Sequence, residues 1–374
     1  MKIARFIVVA FLCIILILQT GCWDQKLFEE IGFILQLGIE ESPDNSILLS
    51  VTYPIVEHNT EEKVQFMSMN SEKLVRASRE RMRNISGKYL QGGKIQQIYF
   101  SKGISHKGIN EFLEVFFRDP ENPLLANVVV VDGSPKEMME MSTKFKDKPI
   151  PAFYVNNLLM DARRRGAVPE TRIYDFCIMY YSKTIDPVTP LVRYTKKNIE
   201  IVGSALFSGD KMVGQLDIEQ TIILNALLGE QKDIHYTYYG QTPSKSTGNI
   251  KRGASMSIRD IKRKIKIDTS GDVPVINIST NFAALIDEYT LKDNLYKPEI
   301  KKMLQDNIAR SIKSEMQKLI KYMQGVGSDP IGIGELIRSK YNKYWKSIEW
   351  KEVYKHSVFN IDVKVNIESY GTLK

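Results

Sequence analysis

Residues 199–229 read IEIVGSALFSGDKMVGQLDIEQTIILNALLG. Ser208-Gly209-Asp210 separates two apolar runs, Ile199 to Phe207 and Lys211 to Leu216. That arrangement is a hairpin signal. Asp217 stands three residues before Gln220, as the acceptor and its partner do in a helix cap, and an apolar segment runs on to Gly229. The spacing predicts a capped helix ended by a glycine. Strand runs mixed with separate helices make an α+β chain.

The flanking sequence extends this reading. On the C-terminal side, residues 230–253 show no period and read as a loop. Strands are predicted over Ser255 to Asp268 and Val275 to Glu288, around Ser270-Gly271-Asp272. Pro298 opens a helix through Gln324 with a stripe of Leu304, Ile308, Ile312, Met316, Leu319 and Met323, stopped by Gly325 and Gly327. The alternation of Phe359, Ile361, Val363, Val365 and Ile367 with polar residues closes the chain as a strand. On the N-terminal side, residues 31–56 read as a hairpin turned by Pro43-Asp44-Asn45, and 57–69 as a loop. A helix runs from Asn70 or Ser71 to about Ser86, and Lys94 to Ser101 is a strand. Ile109 to Phe117 is a helix, and Asn127 to Val131 is a buried strand. Ser134-Pro135-Lys136-Glu137 starts another helix. Phe153 to Arg164 is helical, Arg172 to Ser182 is read as a strand, and Pro187 and Pro190 break the chain after it. The expectation is a multi-domain α+β protein with mixed and antiparallel sheets and packed helices, divided as 1–21, 22–198 and 199–374. Residues 201–374 contain helices and strands enough to suggest independent folding.

With 374 residues the chain exceeds one ordinary core. Its 43% hydrophobic and 26% charged composition excludes whole-chain disorder and a collagen-like fibre. A polytopic membrane protein is excluded too, since Phe6 to Leu18 is the one long apolar run. The net charge of +8 suits an anionic membrane surface or an acidic partner and is weak evidence for nucleic acid.

Met1 to Arg5 is a short basic segment, and FIVVAFLCIILIL at 6–18 carries no charge. Thirteen helical residues rise about 20 Å, too short for a ~30 Å hydrocarbon core. The segment reads as the apolar region of an export signal. Gln19-Thr20-Gly21-Cys22 follows and resembles the bacterial lipobox, with Gln19 where an aliphatic residue is usual. The resemblance implies cleavage between Gly21 and Cys22 and acylation of Cys22. Two or three acyl chains anchor a domain durably. An ordinary cleaved signal is the bland alternative. Loss of Cys13 and acylation of Cys22 leave Cys177 alone, so no intramolecular disulfide is expected. Cys177 lies in an apolar stretch and reads as a buried thiol.

No catalytic constellation emerges. His58, His106, His235 and His356 lack partners at metal-ligand spacing. No dinucleotide fingerprint, Walker A loop or nucleophile elbow occurs, and neither a cofactor nor a metal is expected. Arg163-Arg164-Arg165 fits a helix C-terminus. Lys262, Lys264 and Lys266 alternate with Ile261, Ile265 and Ile267, so on a strand the lysines share one face. That face is either solvated, with lysines protecting an edge, or a patch directed at lipid phosphates or an acidic partner. No aromatics interleave with it, which disfavours nucleic acid.

Cys22-Trp23-Asp24, Ile31-Gly32-Phe33 and Leu37-Gly38-Ile39 together resemble the mature start of the Ger(x)C family, the C subunits of spore germinant receptors. Phe117-Arg118-Asp119-Pro120 with Val128 to Gly133, and Gly203 to Phe207 with Gly209 to Gly214, are similar to further family blocks. So are Asp329, Gly332, Gly334 and Glu335 with Tyr344-Trp345-Lys346, although Pro330 interrupts that pattern. The resemblance implies a non-enzymatic lipoprotein of the spore inner membrane, partnered by polytopic A and B subunits. A solute-binding lipoprotein that captures a nutrient itself is the second reading, and an anchored cell-wall hydrolase the third.

Overall fold

The computed structural model describes residues 27–44, 46–55, 63–71, 75–119, 122–230, 233–240, 252–291 and 293–370, together with Ile3, Arg5–Ile7 and Phe11. Cys22 and Gly21, the expected acylation and cleavage residues, lie outside them. After a 3₁₀ turn at Phe28–Glu30 come β1 (Ile31–Phe33), β2 (Gln36–Glu41), β3 (Ile47–Ile55) and β4 (Lys63–Ser71). Then follow α1 (Val75–Ser86), β5 (Tyr89–Gln91), β6 (Gln97–Ser101), α2 (Lys102–Lys107), α3 (Asn110–Arg118) and β7 (Asn127–Val131). Next are α4 (Pro135–Ser142), α5 (Pro151–Arg164), α6 (Ile173–Ser182), β8 (Val188–Tyr194), β9 (Ile199–Ser208) and β10 (Lys211–Asp217).

Eight of these strands form one mixed sheet in the order β10-β9-β8-β7-β6-β2-β3-β4. β2, β6, β7 and β8 run parallel, and both flanks are antiparallel. The run Asn127-Val128-Val129-Val130-Val131 is buried throughout because helices cover both faces. Val128 and Val130 pack with Phe112, Phe116 and Phe176, whereas Val129 and Val131 pack with Met139, Val155 and Leu159. β1 and β5 form a separate parallel pair.

The remainder contains α7 (Ile218–Leu228), β11 (Ile234–Tyr239), β12 (Gly253–Asp268) and β13 (Val275–Tyr289). It continues through α8 (Pro298–Val326), α9 (Ile333–Lys340), α10 (Asn342–Trp345) and α11 (Trp350–His356) to β14 (Val358–Ser369). The four strands form a second sheet in the order β11-β12-β13-β14, with β14 parallel to β13. α8 lays Leu304, Ile308, Ile312 and Met316 against Ile278, Phe282, Ile361 and Val363. Each such side chain, fully buried, contributes roughly 1.5–3 kcal/mol. Val188, Leu206 and Leu216 of the large sheet belong to the same core. The large sheet therefore runs across residue 199, with β8 paired to β9.

Several local expectations are corrected. The strand expected over Arg172 to Ser182 is instead the helix α6, Ile173–Ser182, with Arg172 at its cap. Its sequence resembles a strand because it is apolar on both sides and rich in aromatic and β-branched residues, which favour strands. Its overlooked start signal is Asp175, whose Oδ2 accepts the Arg172 N–H at 3.0 Å. The expected loop 57–69 contains most of β4, which delays the following helix to Val75. The expected loop 230–253 contains β11, paired with Gly253 to Ile258. Pro190 lies inside β8 rather than breaking it: β7 pairs only with Leu191 and Val192, so the missing N–H forfeits no bond on that side.

Candidate functional site

Residues 328–334, between α8 and α9, meet residues 184–187, between α6 and β8, at the joint of the two units. Asp329 N–H donates to Asp186 Oδ2 at 2.9 Å, and Asp186 N–H donates to the Asp329 carbonyl at 3.0 Å. Ser328 Oγ donates to the Phe207 carbonyl at 2.7 Å, and Thr184 Oγ1 to Glu335 Oε2 at 2.8 Å. The other Asp186 oxygen accepts Gly209 N–H at 2.8 Å, at the β9–β10 turn. The carboxylate of Asp329 faces the opposite way. Its Oδ1 accepts Gly332 and Ile333 N–H at 3.0 and 3.2 Å. Its Oδ2 accepts Gly334 N–H at 2.8 Å and Trp350 Nε1–H at 3.1 Å. One buried side chain thus caps α9 and fixes the first residue of α11.

The glycines here have specific reasons. Gly332 has φ +76°, in the left-handed region. A Cβ on Gly334 would lie 2.5 Å from Trp350 Nε1 and 2.6 Å from the Thr184 carbonyl. Burial pushes the Asp329 carboxyl up to about 7, opposed by its donors at Gly334 and Ile333; the nearby Asp186 charge adds to the rise. Lys351 Nζ lies 3.8 Å from Asp186 Oδ1 and donates to Ser208 Oγ at 2.8 Å. Burial, and then the charges of Asp329 and Asp186, raise the Tyr354 hydroxyl as well. Chemically this is a joint that holds two units in register. Among the described residues no group of three or more His, Cys, Asp or Glu side chains could hold a metal ion.

Lys262, Lys264 and Lys266 project from the outer face of β12, all exposed. The register sets them opposite Asn281, Ser279 and Asn277, and Asn281 opposite Lys364 of β14. β11 pairs no further than Ile258, so this half of β12 is also a sheet edge. Asp260 lies 3.6 Å from Lys262 Nζ. Arg263 turns to the other face, where Nη1 donates to the Leu227 carbonyl at 2.6 Å and ends α7. The lysine face and the aspartate joint are separate features.

The arginine run ends α5. Arg163 turns inward to Asn127 and Glu170, and Arg165 pairs with Asp161. Cys177 is buried, and burial pushes its thiol up to about 12, as suits an inert hydrophobe. A cleft of about 610 Å³ opens between β11, the end of β13 and α8, lined by Tyr238, Tyr239, Tyr289, Arg310, Glu315 and Lys318. Tyr236 Oη donates to Glu315 Oε1 at 3.0 Å beside it. Nothing in the sequence marks this cleft, because its members come from three separated elements. Asp329, Gly332 and Gly334 show in the sequence as a family-like pattern; Asp186 carries no signal, because the contact joins residues 143 apart.

Two family models match. Residues 24–194 match the spore germination protein N-terminal domain, and residues 202–371 match the spore germination B3/GerAC-like C-terminal domain. Spore germination protein GerQC of Bacillus cereus is 26% identical over 373 residues, covering 98% of this chain and 99% of that protein. Spore germination protein B3 of Bacillus subtilis (strain 168) is 21% identical, covering 99% and 98%. The crystal structure of the GerBC protein superposes with a TM-score of 0.59 at 16% identity, over 89% of this chain and 96% of that one, which shows a shared fold. With both halves matched in order and relatives aligned along their full length, the chain belongs to the Ger(x)C family of spore germination proteins.

Proposed function

We propose that this chain is the lipid-anchored C subunit of a germinant receptor. Acylated Cys22 holds it on the outer face of the spore inner membrane, where it acts in germination through contacts with the membrane-embedded A and B subunits. The observation that carries this reading is the family match beginning at Asp24, directly after Gly21-Cys22 and the apolar segment 6–18. No helix among the described residues is long and apolar enough to cross a membrane, so the reading assigns attachment to the acyl group. Lys262, Lys264 and Lys266, with Lys364, then face anionic headgroups. Isolation of the tagged chain from detergent-solubilised spore inner membrane tests the assignment. Recovery of the A and B subunits with it is the expected result, and their absence contradicts it.

The tyrosine-lined cleft favours one second reading, direct capture of a nutrient. Its polar lining carries both charge signs, from Arg310, Lys318 and Glu315. Saturable heat on titrating candidate germinants into residues 23–374 supports that reading; a flat titration removes it.

A further inference from the structure

The cleft between β11, the end of β13 and α8 holds about 610 Å³, the size of a site for a small organic ligand. α8 supplies one wall. Asn307, Ser311 and Glu315 recur every fourth residue, and so do Arg310, Ser314 and Lys318. Side chains at that spacing stand in line on a helix, so two polar rows run side by side along the cleft. Ile308, Ile312 and Met316 take the next face of α8 and are buried. The facing wall is aromatic, with Tyr238 of β11 and Tyr289 of β13 half-buried in it.

The groups of the helical wall differ in what already engages them. Tyr236 Oη donates to Glu315 Oε1 at 3.0 Å and lies 3.0 Å from Ser311 Oγ. Glu315 Oε2 takes no donor among the described residues. Burial raises the Glu315 carboxyl, against the pull of Tyr236, Ser311 and Lys318. Arg310 is exposed at the mouth, where Nη2 donates to Asn307 Oδ1 and Nε to the Asp306 carbonyl at 3.4 Å. Lys302, one turn earlier, pairs with Asp306, but Arg310 has no ion-pair partner among the described residues.

This lining sets three requirements on an occupant. The tyrosine rings call for a flat face. Ser311 and Glu315 call for closely spaced groups that donate and accept, since an apolar ligand would leave them desolvated and unpaired. The guanidinium calls for carboxylate or phosphate oxygens, which it can take two at a time. A sugar ring meets the first two, with C–H bonds on its face and hydroxyls on its rim, and an acid group on the sugar meets the third. We propose that the cleft binds an acidic saccharide, its ring laid on Tyr238 and Tyr289, its hydroxyls on Ser311 and Glu315 and its acid group on Arg310. The cleft is that of the second reading above, but the proposal rests on its lining alone and does not require the ligand to be a germinant.

The full chain in lipid nanodiscs is titrated with glucuronate, glucose 6-phosphate, glucose and benzoate, with binding read by saturation-transfer NMR. At least one of the acidic sugars should saturate about tenfold more tightly than glucose and than benzoate. Which one does so assigns the acid group as carboxylate or phosphate. The strongest saturation should fall on ring C–H protons, as contact with the tyrosines requires. Arg310→Gln, at an exposed position, should bring that sugar to the level of glucose and leave glucose unchanged. The proposal is overturned if neither acidic sugar saturates, if glucose or benzoate binds as tightly, or if Arg310→Gln binds like wild type. None of these outcomes bears on the C-subunit reading, which the subunit isolation tests, or on nutrient capture, which the germinant titration tests.

Discussion

Asp329 shows how one buried carboxylate can organise a joint. Four donors converge on it, from Gly332, Ile333, Gly334 and Trp350. Its own N–H ties it to Asp186. Burial raises its carboxyl from 3.8 to about 7. A folded-state value above the unfolded one means that the native state binds the proton more tightly. The stabilisation from that proton is fully present below about pH 4 and is lost as pH rises through about 7. The melting temperature of residues 23–374 should therefore carry a downward component between about pH 4 and 7. Asp329→Asn cannot ionise and should flatten that slope, although its amide leaves one pair of donors opposed and lowers overall stability by about 1–3 kcal/mol. Parallel slopes for the two proteins would remove Asp329 from the pH response. The position of Asp329 before two glycines was legible in the sequence as a family pattern. Its partners were not, because Asp186 and Trp350 reach it only through the fold.

Elements with one dry face and one wet face were legible. α8 was read to within two residues of its observed end, and β14 and the β9–β10 hairpin were read from alternation and turn chemistry. α6 is not legible as a helix because neither of its faces is polar: Ile173, Phe176 and Cys177 are buried, and Tyr174, Ile178 and Tyr181 are exposed. β4 and β11 are hard to read from sequence because Ser, Met, Tyr and Thr give a weak alternation. β12 was read correctly, and its lysine face yields a prediction. Changing Lys262, Lys264 and Lys266 together to Ser removes exposed charges and no buried contact, so stability should shift little, by about 0.5 kcal/mol or less per site. At about 1 kcal/mol per lysine near an anionic surface, the variant should bind phosphatidylserine vesicles up to about a hundredfold more weakly at low salt. The difference should fade as salt is raised. The comparison requires the unacylated protein, and equal binding by both forms would return the lysines to the role of edge protection.

At the scale of the molecule, the eight-stranded sheet crosses the boundary expected at residue 199, and Val188, Leu206 and Leu216 of that sheet pack in the core of the four-stranded one. The family models divide at nearly the same point, ending at 194 and resuming at 202. The strand pairing across residue 199 is not legible in the sequence, because pairing partners leave no local trace. β9 lies between β8 and β10, and Leu206 and Leu216 pack in the core of the second unit. A fragment of residues 201–374 begins inside β9 and removes β8 from its side. The exposed strand edge is an association hazard, so the fragment should aggregate or melt without cooperativity, whereas residues 23–374 should melt as a folded protein. Scanning calorimetry with light scattering distinguishes these outcomes, and a soluble, cooperative 201–374 would show that the shared sheet contributes little. The central claim is that this folded body works from a membrane to which Cys22 ties it. Metabolic labelling with a clickable fatty acid tests that claim most directly. The account predicts label on the wild-type chain and none on Cys22→Ala, with the variant lost from the membrane fraction; label that persists on Cys22→Ala, or an unlabelled wild type, would contradict it.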